Sequence, residues 1–67
     1  MIYVIPGKPW LTYRLGDTVH TIDGISGKIV GLTKPEKTGP TLARIVDAAG
    51  NEHLINRQHI RKIESEG

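Results

Sequence analysis

Glycine and proline fall so densely along this chain that little of it can be helical. Pro6, Gly7, Pro9, Gly16, Gly24, Gly27, Gly31, Pro35, Gly39, Pro40 and Gly50 cut it into pieces mostly too short for a stable helix. Only the stretch from Asn51 to Glu66 escapes them. Between the breaks, nine Ile and four Val stand against three Ala, with six Thr beside them. That population fits a pleated, half-buried surface. The 67 residues make one domain, and a domain this small buries only about 60% of the surface its unfolded chain exposes. With no cysteine there is neither a disulfide framework nor a thiolate zinc site to stabilise it. A small all-β fold, steadied by a partner or by self-association, is the expectation.

From Met1 to Leu15 all three aromatics, Tyr3, Trp10 and Tyr13, surround Pro6-Gly7-Lys8-Pro9. The prolines predict an extended arm over residues 1–14 with a short strand in place of a continuous ladder. Gly16 to Ile22 is a strand entered through glycine, and Asp23-Gly24-Ile25-Ser26-Gly27 is a turn whose glycines allow positive φ. Lys28 to Thr33 is the strongest strand, with Ile29 on one face, Val30 and Leu32 on the other, and Gly31 marking a sharp bend. Lys34 to Pro40 is a polar hairpin tip. Thr41 to Asp47, a turn at Ala48-Ala49-Gly50-Asn51, and Glu52 to Ile55 form a second hairpin. Asn56 to Ile63 reads as a short helix capped by Asn56 or as a single 3₁₀ turn leading into a last strand. Residues 64–67 read as a frayed end.

The succession Gly16-Asp17-x-Val19, a glycine turn, Gly27-x-Ile29-Val30-Gly31, a loop, a hairpin around Gly50, then Ile60-x-x-Ile63 resembles the SH3-like small barrels, including the KOW and Tudor-like groups. The resemblance covers residues 15–63. It implies a five-stranded barrel with a 3₁₀ turn at Arg57 to Ile60 before the last strand. A narrower resemblance is to the plasmid-borne type II dihydrofolate reductases, SH3-like homotetramers with one central pore. It rests on the Gly-Asp-x-Val start and the Gly-x-Ile-Val-Gly strand. Their signature Val-Gln-Ile-Tyr falls on Glu52-His53-Leu54-Ile55, so the glutamine and tyrosine that meet cofactor and substrate are His53 and Ile55 here.

Enzyme chemistry finds little support. Asp17 and Asp23 stand at a strand entry and a turn, where aspartate bonds nearby backbone N–H groups. Ser26, His20 and Asp17 do not assemble a convincing nucleophilic set. His20, His53 and His59 match no compact metal-ligand spacing, and Gly24-Ile25-Ser26-Gly27-Lys28 lacks the spacing of a phosphate-cradling loop. No catalytic residue, metal or cofactor is expected.

Binding is better supported. Nine Lys and Arg against seven Asp and Glu give a net charge of +2, a mild bias toward phosphate backbones. Arg57, Arg61 and Lys62 concentrate positive charge near the end of the chain, while Lys28 and Arg44 lie on strands that can present them to the same side. Trp10 is expected chiefly to plug one end of the core and Tyr13 equally to plug it or to make contacts; alternatively Trp10 and Tyr13 stack on bases or line a partner groove. Weakly sequence-specific nucleic-acid association through this basic face is the first expectation. A protein-interaction or assembly module using a strand edge or the aromatic arm is the second, and an oligomeric reductase relative the third. Met1-Ile2-Tyr3 opens no signal-like n-region, and no apolar run reaches the roughly 18 residues of a membrane span. A cytoplasmic protein with no membrane partner is expected.

Overall fold

A computed structural model of the chain describes residues 1–65. It holds β1 (Tyr3–Ile5), β2 (Lys8–Tyr13), β3 (Thr18–Thr21), β4 (Ser26–Thr33), β5 (Leu42–Val46), β6 (Glu52–Asn56), a 3₁₀ turn (Arg57–His59) and β7 (Ile60–Glu64). The all-β expectation holds, as does the 3₁₀ turn before the last strand. The five-stranded barrel is corrected on two counts. Seven strands are present among the described residues, and they form two open sheets, a β1-β2 hairpin and a five-stranded sheet in the order β6-β5-β4-β3-β7. β1 and β2 pair only with each other, so no strand bridges β6 to β7 and the ladder does not close.

The predicted extended arm is the β1-β2 hairpin, turned by Gly7 at φ +79°. Its prolines are absorbed by an irregularity. Tyr3 pairs with Tyr13 and Val4 with Thr12, but Ile5 pairs with Lys8. Pro9, Trp10 and Leu11 therefore fall between the two registers, where the missing proline N–H costs no ladder bond. The hairpin belongs to the core: Ile5 and Tyr13 are buried with Val19, Ile29, Ala43, Ile45, Ile55 and Ile60. Tyr3 stacks on Tyr13 with ring centroids 5.3 Å apart. Lys8 fastens the hairpin to the main sheet, its Nζ donating to the carbonyls of Gln58 at 2.8 Å and Ile60 at 3.1 Å.

Local rules explain the rest. Gly24 and Gly50 turn their hairpins at φ +86° each. Gly27, expected in the turn with positive φ, lies instead within β4 opposite Val19. What it supplies is close approach, because a Cβ there would stand 2.5 Å from the Val46 carbonyl oxygen. The bend expected at Gly31 is a register shift between Ile29 and Gly31 that leaves Val30 exposed. Asn56 caps the 3₁₀ turn, its side-chain oxygen accepting from the Gln58 N–H at 2.9 Å. Glu64, expected to fray, ends β7. Glu66 and Gly67 of that expected tail lie outside the described residues. No helix among the described residues is long and apolar enough to cross a membrane.

Candidate functional site

The five cations expected to share one face divide into two groups. Lys28, Arg44 and Lys62 stand on the outer face of the five-stranded sheet, alternating with the buried Ile29, Ala43, Ile45 and half-buried Ile63. Carboxylates are threaded among them. Strand register runs Glu64, Thr18, Lys28, Val46, Glu52 across the face. Arg44 forks onto Glu52, with Nε and Nη2 each donating to one carboxylate oxygen at 3.1 Å. The hydrogen-bonded fork raises the Arg44 pKa and lowers that of Glu52. Lys62 Nζ lies 3.5 Å from Glu64 Oε1. This face is mixed in sign.

Arg57 and Arg61 form the second group, around the 3₁₀ turn. Arg57 is half-buried beside the Tyr13 hydroxyl. Burial pushes the Tyr13 pKa up, outweighing the opposite pull of the Arg57 cation. Neither Tyr13 Oη nor Arg57 Nε finds a hydrogen bond of good geometry. Arg61 is exposed, and it sits where the β3-β7 register shifts between His20 and Thr21.

Of the two aromatics, Trp10 departs from the plugging role expected of it, and Tyr13, open between core and groove, is settled as core. Tyr13 is 1% exposed and fills the core, so it cannot stack on a ligand; Trp10 is 73% exposed and plugs nothing. The parity of β2 is the reason. Although Trp10 lies in the irregularity, burial alternates from Trp10 to Tyr13, with Leu11 and Tyr13 turned inward and Trp10 and Thr12 outward. β2 packs along β7, and the Lys8 bonds to Gln58 and Ile60 hold it there. The strand carrying Trp10 therefore runs beside the segment carrying Arg57, His59 and Arg61.

Polar strings not foreseen from the sequence also lie on the surface. His20 Nδ1 and Ser26 Oγ are 2.8 Å apart, and His20 Nε2 faces Glu64 Oε1 at 3.3 Å. The acid beside His20 is thus Glu64; Asp17 is buried and accepts from the Arg14 N–H at 2.9 Å. His20 and Ser26 are direct cross-strand partners flanking the Gly24 turn, and that pairing was readable once the hairpin was placed. His53 Nε2 meets Asp47 Oδ2 at 2.8 Å, while Asp47 Oδ1 accepts from the N–H groups of Ala49 and Asn51. Asp47 is therefore the organiser of the β5-β6 turn. Of the residues at the reductase-signature positions, His53 is held by this turn aspartate and Ile55 is buried in the core.

The chain matches no family model, no curated protein and no solved structure. Its own geometry is what bears on function.

Proposed function

We propose that this chain is a non-enzymatic binding module that associates with nucleic acid, with weak sequence preference and a bias toward single strands. The observation that carries the reading is Trp10, the largest side chain in the sequence, held 73% exposed on a strand anchored beside the 3₁₀ turn. An exposed indole on a fixed strand is a stacking platform for unpaired bases, and every base has a face to offer it. Arg57, His59 and Arg61 follow on the neighbouring segment as phosphate contacts. Lys28, Arg44 and Lys62 take a lesser part, because Arg44 and Lys62 already face carboxylates. The β-strand order with a 3₁₀ turn before the last strand also supports kinship of architecture with the SH3-like small folds.

The same pairing of charges favours a second reading, in which Trp10 anchors a protein partner, tryptophan and arginine being the residues that most often dominate such contacts. Amide NMR titration of the labelled chain with single-stranded and duplex oligonucleotides at low and moderate salt separates the two. Shifts on Trp10, Arg57 and Arg61 that fade with salt and are larger for single strands are expected. Absence of shifts with either oligonucleotide sinks the nucleic-acid reading.

A further inference from the structure

We propose that two copies of this chain pair through β6, joining their five-stranded sheets into one continuous antiparallel sheet. The proposal uses a strand edge and does not depend on Trp10 or on nucleic acid. β6 closes one end of the strand order. Its register with β5 runs without a shift from Leu42 opposite Asn56 to Val46 opposite Glu52. It contains no proline, no lysine and no bulge, three of the devices that protect an edge, and its one carboxylate, Glu52, is already paired with Arg44. Other strands do carry them: β7 has a register shift and Lys62, and β2 has Pro9 inside its irregularity.

The groups that β6 offers follow from the ladder. Asp47 N–H donates to the Asn51 carbonyl at 3.0 Å. Hydrogen-bonded pairs alternate along an antiparallel ladder, so Ile45 with His53 and Ala43 with Ile55 are the next ones. The N–H and C=O groups of Glu52, Leu54 and Asn56 therefore point away from β5. A two-fold axis through Leu54 sets these groups against their own copies in full register. Leu54, 51% exposed, then meets Leu54 of the partner subunit, and Glu52 meets Asn56 of the partner subunit. No like charges oppose each other. Asn56 gives its side-chain oxygen to the Gln58 N–H, which leaves its NH₂ group to donate to Glu52 of the partner subunit, a carboxylate that Arg44 holds in place. A strand that complements itself in backbone, apolar contact and charge fits a second copy of this chain better than an arbitrary strand.

Sedimentation equilibrium on the full chain tests this, beside amide hydrogen exchange. Wild type is expected at twice the 7.4 kDa chain mass, with the Glu52, Leu54 and Asn56 amides protected as well as those of His53 and Ile55. L54K places two ammonium groups at the axis on a solvent-facing site; it is expected at single mass, with only the outward amides losing protection. The exchange pattern in wild type needs no variant, so a poorly folding L54K leaves the test intact. A wild type at single mass throughout, or one whose outward amides exchange freely while the inward ones are protected, overturns the proposal.

Discussion

At the scale of single residues, exposure separates side chains that serve the fold from those free to serve a ligand. Trp10→Ala removes an indole that is 73% exposed, so stability should move by no more than about 0.5 kcal/mol. Single-strand affinity should fall by about 1 to 3 kcal/mol. Chemical denaturation and an oligonucleotide titration of the same variant read the two effects apart. Tyr13 should behave in the opposite way. Tyr13→Ala empties a core position and should cost about 3 to 5 kcal/mol, whereas Tyr13→Phe deletes a buried hydroxyl that has no well-formed hydrogen bond and should cost under about 1 kcal/mol. Asp47 gives the acid dependence a definite sign. Its hydrogen bond with His53, then those from the backbone of Asn51 and Ala49, hold its pKa below the ordinary 3.8. Its contribution is therefore complete above the ordinary aspartate value and is lost as pH falls through the lowered one. Urea unfolding near neutrality and again in acid should show a smaller acid loss in Asp47→Asn than in wild type.

At the scale of elements, the β1-β2 hairpin is as much a part of the core as any strand of the main sheet. Deleting residues 1–14 removes Ile5 and Tyr13 from the buried cluster and the Lys8 bonds to Gln58 and Ile60. The remaining 15–67 chain should give the collapsed amide spectrum of an unfolded polypeptide. Gly27 makes a similar demand on β4 and β5: Gly27→Ala would put a methyl 2.5 Å from the Val46 carbonyl oxygen and should cost about 1 to 3 kcal/mol of overpacking, measured by thermal unfolding. These two features mark what the sequence conceals. The β5-β6 hairpin and the capped 3₁₀ turn were legible, because Gly50 and Asn56 act on their immediate neighbours. The β1-β2 hairpin was not, because Pro9 reads as a strand breaker until the opposing strand shows a register shift around it. Trp10 was misplaced in the core, and Tyr13 was left undecided, for the same reason, since the faces of a strand can be assigned only after the strand itself is recognised. The division of the cations was hidden more deeply, for Arg44 meets Glu52 only through the pairing of β5 with β6.

For the whole molecule, a net charge of +2 offers little long-range attraction, so the proposed nucleic-acid association would draw a large share of its affinity from stacking. The salt dependence should accordingly be shallow, with Arg61→Ala lowering its slope by about 0.7, the value of one phosphate contact on a single strand. Affinities measured at several salt concentrations for both proteins give that difference directly. Dimerisation through β6 would leave Trp10 untouched on each copy, so binding and self-association should be separable by variants. The proposed binding puts Trp10 against the nucleic acid, and the chain has one tryptophan beside two tyrosines, so emission excited on the red edge of the indole band, where tyrosine does not absorb, comes from Trp10. Titration with an unstructured oligonucleotide should quench this emission in a saturable way that weakens as salt rises; emission that stays unchanged while binding is detected by another method would contradict the account.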